Sequence, residues 1–162
     1  MMGSSWHDQM QVCINGHQIT ANAQRYPEFK QDFCSSCGAR TIVACESCKH
    51  PIRGEYHVDG VIAVGFGAPV PKYCTKCGVA YPWQAGAIES LKETLREGGL
   101  DSNDIQIAEA AIPDIIHDTP RTELASLKLG RVLKKLGKPL YNVAIKVVTE
   151  VATEAAKKAM GF

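Results

Sequence analysis

Cys34-Ser35-Ser36-Cys37-Gly38-Ala39-Arg40-Thr41-Ile42-Val43-Ala44-Cys45-Glu46-Ser47-Cys48 decides how the N-terminal half of this chain is built. Two Cys-x-x-Cys pairs flank a short β-branched segment. Such a pair sets two thiolates on one side of a tight turn, which is half of a tetrahedral metal site. Working outward, Cys13-Ile14-Asn15-Gly16-His17 lies upstream and Cys74-Thr75-Lys76-Cys77 downstream. The four pairs use all seven cysteines and one histidine, the ligand demand of two closed, structural zinc sites.

A disulfide framework is the competing reading of seven cysteines. It calls for an even count, a signal peptide and irregular spacing. The opening residues carry neither a basic cluster nor an apolar run, so no signal peptide is expected and the chain is placed in a reducing cytoplasm. A two-residue gap also occurs in redox sites, but three such pairs, two of them followed by glycine, read as zinc knuckles.

The residues immediately after each knuckle bear on how the ligands pair. Gly38 and Gly78 end their knuckles in the manner of the second half of a ribbon, whereas Cys48 runs on through Lys49-His50 into Pro51-Ile52, as a first half does. Sequential pairing is therefore expected: Cys13, His17, Cys34 and Cys37 on one ion, and Cys45, Cys48, Cys74 and Cys77 on the other. A nested arrangement and a RING-like cross-brace stand as alternatives. His17 is the expected eighth ligand because seven cysteines leave one vacancy; His50 and His57 are its competitors, and His7 and His117 are read as non-ligands.

The composition divides the 162 residues. Residues 1–83 hold every cysteine and four of the five histidines; residues 84–162 have no cysteine and show apolar residues at helical spacing. The expected fold is α+β: a small metal-stabilised double zinc ribbon of short β-hairpins over 1–83, then a helical region of three to four helices over 84–162. Among the strands, Tyr56-His57-Val58 and Val61-Ile62-Ala63-Val64 flank Asp59-Gly60, a turn suited to a hairpin. Trp83 is expected at the junction of the two regions. A helix over 84–97 stops at Gly98-Gly99, and a second is capped by Asp101 or Ser102 and kinked or divided at Pro113. Thr119-Pro120 starts a third with Leu124, Leu127, Leu133 and Leu136 on its apolar face, and a last helix spans 140–160.

A formal net charge of +1 argues against a globally basic nucleic-acid binder. Lys128, Arg131, Lys134, Lys135 and Lys138 form the one local basic patch, 128–138. Cations late in a helix also complement its dipole, and this patch has no aromatic residues interleaved, so a solvated face is its plainer reading. No run of apolar residues is long enough to span a membrane.

The run from Cys13-Ile14-Asn15-Gly16-His17 through Tyr26-Pro27-Glu28-Phe29, Asp32-Phe33-Cys34, Pro51-Ile52-Arg53-Gly54 and Tyr81-Pro82-Trp83 to Asp118-Thr119-Pro120-Arg121-Thr122 resembles an uncharacterised bacterial zinc-ribbon family. The resemblance covers most of the chain and implies a small bacterial cytoplasmic protein with metal-binding cysteines; it brings no activity with it. The knuckles are also similar to double zinc ribbons, adaptor modules of many functions, a likeness of fold alone.

Saturated metal sites leave no open position for water or substrate, and the chain has no nucleophile-and-base motif or phosphate-cradling loop. No enzyme activity and no small-molecule substrate are expected. The favoured reading is a non-catalytic protein-binding module that recognises a partner or itself through Val61, Ile62, Val64 and Phe66, or through the final helix. A nucleic-acid-binding ribbon using the basic patch is the alternative.

Overall fold

The computed structural model describes residues 4–62 and 67–162. It divides into two compact units, Met1–Ala85 and Gly86–Phe162. The first is built from short strands and cysteine knuckles and the second from helices, an α+β arrangement.

In the first unit β1 (Ser5–Gln9) pairs antiparallel with β5 (Arg53–Val58), with Trp6 opposite His57 and His7 opposite Tyr56. A three-stranded sheet has the order β3 (Gln18–Thr20), β2 (Gln11–Cys13), β4 (Thr41–Ile42). The central strand β2 is wholly buried, and its Gln11 meets that condition by satisfying both ends of its amide. Nε2 donates to Gln31 O at 2.8 Å and to Thr41 Oγ1 at 2.7 Å, while Oε1 accepts from Gln31 N at 3.0 Å. One side chain thus ties the segment entering the Cys34 knuckle to the strand that ends in Cys13. Asp8, also buried, holds the adjoining loop: its carboxylate accepts from the amides of Gln24 at 2.9 Å and Arg25 at 3.1 Å. The unit's core is small, Met10, Val12, Ala21, Ile52 and Tyr81 together with Cys45 and Cys74.

The Asp59-Gly60 turn forms, with Gly60 at φ 78° and Val61 N bonded to Val58 O at 3.1 Å. Among the described residues the strand leading into it does not pair with the chain beyond the turn. Its partner is β1, and Val61 and Ile62 belong to no strand. The β1–β5 ladder runs from Ser5 opposite Val58 to Gln9 opposite Arg53, with a register shift between His7 and Gln9. Ala63, Val64, Gly65 and Phe66 lie outside the described residues. Trp83 stacks on Tyr81 at 4.8 Å between ring centroids, and its indole N–H donates to Pro71 O at 2.9 Å, so it is held within the first unit.

From Pro82 the described chain forms five helices: α1 (Pro82–Glu97), α2 (Ser102–His117), α3 (Thr122–Leu133), α4 (Lys138–Val151) and α5 (Glu154–Met160). Helix α1 stops at Gly98-Gly99, where Gly99 takes φ 67°. Asp101 caps α2 by accepting from Asp104 N at 2.8 Å, and α2 continues through Pro113 as one helix. Thr119-Pro120 opens a turn rather than the helix. Thr119 O accepts from Thr122 N at 3.0 Å, and α3 begins two residues after the proline. The last stretch is two helices, not one: Ala152 turns extended at φ −68°, ψ 152°, and Thr153 caps α5 by accepting from Ala156 N at 3.3 Å.

The buried side of α3 carries Thr122, Ala125, Ser126, Leu129, Val132 and Leu133. Leu133 and Leu136 are buried as their spacing suggests, but Leu124 and Leu127 are 55% and 54% exposed. Small residues at 125 and 126 let α2 and α5 approach α3 on that side, which turns the two leucines outward. Around α3 the core gathers Leu91, Leu95, Ile112, Ile115, Leu129, Leu133 and Val148.

Candidate metal centres

Each knuckle is a hydrogen-bonded turn in its own right. In the one that begins at Cys34, the Cys34 amide donates to Ala39 O at 2.8 Å and Gly38 N to Cys34 O at 2.7 Å. The same two bonds recur at Cys45, with His50 O and Lys49 N both at 2.8 Å, and at Cys74, with Val79 O and Gly78 N both at 2.9 Å. The fourth residue after the first cysteine must be left-handed for this turn, and Gly38, Lys49 and Gly78 have φ 70°, 61° and 73°. Two of the three positions are glycine; Lys49 takes the conformation with a side chain.

The Cys13 turn is one residue shorter. Cys13 N donates to His17 O at 3.0 Å, Gly16 N to Cys13 O at 2.9 Å, and the left-handed residue is Gly16 at φ 91°. The second ligand thereby falls after the glycine, and the imidazole of His17 spans the extra distance back to the cluster.

Two groups result: Cys13, His17, Cys34 and Cys37, and Cys45, Cys48, Cys74 and Cys77, with all ligand atoms of each group within 4.8 Å of one another. This is the sequential pairing. Nested and cross-braced grouping do not fit, because the ligand atoms that come together are those of the Cys13 and Cys34 turns in one group and of the Cys45 and Cys74 turns in the other. His50 and His57 join neither group. His50 serves through its backbone carbonyl, and His57 lies on β5 with its ring 2.7 Å from Asn22 Oδ1.

Distances within the groups match a filled tetrahedron. Thiolates at about 2.3 Å from a zinc ion stand roughly 3.8 Å apart, and a sulfur and an imidazole nitrogen roughly 3.6 Å. Cys13 Sγ lies 3.8 Å from Cys37 Sγ and 3.5 Å from His17 Nδ1, and Cys34 Sγ lies 3.7 Å from the same nitrogen. In the second group Cys45 and Cys77 are 3.8 Å apart and Cys48 and Cys74 3.6 Å. These separations are far beyond an S–S bond, so both groups are thiol clusters that can hold metal.

Burial is graded within each turn. The first cysteine of every knuckle is buried, while Cys37 and Cys77 are exposed and Cys48 is half-buried. Hydrogen bonds prepare the sulfurs for a cation. The Ala39 amide first, then His17 and Asn15, bring Cys37 down from 9.0 to about 6; the Cys77 amide, then that of Lys76, brings Cys74 to about 6. At Cys48 the His50 amide lowers it likewise, but burial and three neighbouring thiols outweigh that and push it up to about 11. Four thiols this close cannot all ionise unaided, and a divalent ion removes that conflict. Asn15 Nδ2 stands 3.5 Å from Cys37 Sγ, and burial beside Cys74 keeps the Tyr81 hydroxyl protonated.

All eight sequence-expected ligands are brought together in the two groups. Gln11, which ties the Cys34 knuckle to β2, and the Asn15 amide that reaches Cys37 Sγ carry no ligand spacing, and neither role was legible in the sequence. Among the described residues no helix is long and apolar enough to cross a membrane. No curated protein and no solved structure matches the chain. A family model described as "Uncharacterized protein conserved in bacteria (DUF2321)" matches residues 6–160, nearly the whole length, and the chain belongs to that bacterial family.

Proposed function

We propose that each cluster holds one structural zinc ion and that the chain is a non-catalytic, zinc-stabilised module that binds a protein partner. The observation that carries the metal reading is the closed four-ligand set of each group, with sulfur separations of 3.6 to 3.8 Å that suit a tetrahedral ion. Four protein ligands per ion leave no position for water or substrate, which argues for a scaffold over an enzyme. A first unit with so small a core needs metal to stay folded. Its display of Ile62, 90% exposed, and Val61, 63% exposed, supports a recognition surface. We read residues 1–83 and 84–162 as the zinc-ribbon and helical domains, working in the cytoplasm. The nucleic-acid reading is weaker, since Lys135 of the basic patch is spent on Asp104 at 2.7 Å and no aromatic residue of the patch offers a stacking surface.

Metal analysis of native protein tests the first half: two zinc ions per chain are expected, falling to one in His17→Ala and staying at two in His50→Ala and His57→Ala. Equal loss in all three variants would contradict the ligand assignment. The second half is tested by recovering the partner from the native host and measuring its affinity for Ile62→Asp, which should bind more weakly with zinc content unchanged.

A further inference from the structure

The outward side of α3 does not have the composition of a solvated helix face. Leu124 and Leu127, each more than half exposed, stand on the same side as the exposed Lys128, Arg131 and Lys134. At 3.6 residues per turn these five fall within a sector of about 120°. Two further cations there are neutralised within the unit: Lys135 Nζ is 2.7 Å from Asp104 Oδ2, and Arg121 Nε is 3.2 Å from Asp114 Oδ2. Among the described residues Lys128, Arg131 and Lys134 have no carboxylate within 4.0 Å, although Lys128 acts on Asp114 from farther off; the one acid on the outward side of α3 is Glu123. Grooves flank the leucines. One of about 330 Å³ runs along α2 over Ile107 and Ala110, and one of about 410 Å³ runs along α5 beside Gly130 and Met160.

We propose that this face docks an acidic amphipathic helix of a partner protein, whose apolar side chains seat on and beside Leu124 and Leu127 and whose carboxylates meet Lys128, Arg131 and Lys134. The proposal rests on the protein-binding reading above and adds a second surface and the chemistry of its partner. Uncompensated cations around an apolar ridge are complementary to a helix with the reverse pattern, carboxylates around an apolar stripe. Anionic lipid would satisfy the cations, but a bilayer surface has no side chains to fill two grooves. Phosphate chains would satisfy them too, but would leave both leucines against water or charge.

The probe is a labelled synthetic helix with leucine at its a and d positions and glutamate elsewhere, titrated by anisotropy into zinc-loaded full-length protein. A lysine-for-glutamate version and phosphatidylserine vesicles run beside it. The acidic helix should bind, more weakly as salt rises, and lose at least tenfold in affinity to Leu124→Ser with Leu127→Ser and to Arg131→Glu with Lys134→Glu. Lys146→Glu on α4 should change nothing, and circular dichroism should show all variants folded. Binding of the basic helix as well as the acidic one, no binding of either, or capture by vesicles through the same residues without the acidic helix would each overturn the proposal. If Ile62→Asp weakens the native partner while the α3 variants bind the acidic helix unchanged, this surface is wrong and the module reading stands; if native partner binding survives both sets, both fail.

Discussion

At the scale of single residues, the environment of each sulfur decides how it meets metal. Cys37 and Cys74 sit where amides point at sulfur, and both are lowered from 9.0 to about 6. Groups lowered in this way favour the folded state fully above pH 9 and lose that contribution as pH falls through 6. A bound cation lowers them further, so acid should release metal only below pH 6. Titration with a metallochromic indicator checks this, and a release midpoint at pH 7 or above would show that the cluster is not prepared for the ion. The place of His17 in the first group was legible from arithmetic alone, since seven cysteines leave two four-membered sets one short. Gln11 was not, because a glutamine in a strand announces nothing until the Gln31 and Thr41 groups it joins, 20 and 30 residues on, are in place.

At the scale of elements, the knuckle is the repeating part, and its left-handed residue is the point of strain. A side chain in that conformation costs roughly 1–2 kcal/mol, offset in part because glycine gains more freedom on unfolding. Lys49→Gly should therefore be neutral to stabilising by up to about 1 kcal/mol, the lost bond from Lys49 Nζ to Glu46 O at 2.9 Å limiting the gain. Gly78→Ala should destabilise by about 1 kcal/mol or more. Urea midpoints of the zinc-loaded variants distinguish them, and equal destabilisation would mean that the turn tolerates either residue. The helices were legible through their periodicity and caps, as at Asp101 and Gly99. The orientation of α3 was not, because its leucines and its small residues are both compatible with a core and only the neighbours choose between them. In the same way the Asp59-Gly60 turn was plain in the chain, but among the described residues its strand pairs with β1, 44 or more residues away.

At the scale of the whole molecule, the two units draw stability from different sources. The helical unit buries a contiguous set of leucine, isoleucine and valine side chains, whereas the first unit's interior is small and includes four of the proposed ligands, Cys13, Cys34, Cys45 and Cys74. Structural zinc supplies roughly 10–16 kcal/mol in small zinc domains. Chelation should accordingly abolish hydrogen-exchange protection over Met1–Ala85 while Gly86–Phe162 keeps its helical circular dichroism. Retained protection in the first unit would show that packing, not metal, holds it.

The sequence by itself determined the cysteine-and-histidine donor set, the order of a cysteine-rich β region before helices, and the α1 stop and α2 cap, because spacing, capping and left-handed turns are local physics read within a few residues. Tertiary structure alone decided which knuckles share a cluster, which strand completes β5 and which side of α3 faces outward. Those outcomes depend on contacts between distant segments, where several arrangements satisfy the same local pattern and the buried amide of Gln11, the carboxylate of Asp8 and the small residues of α3 select one.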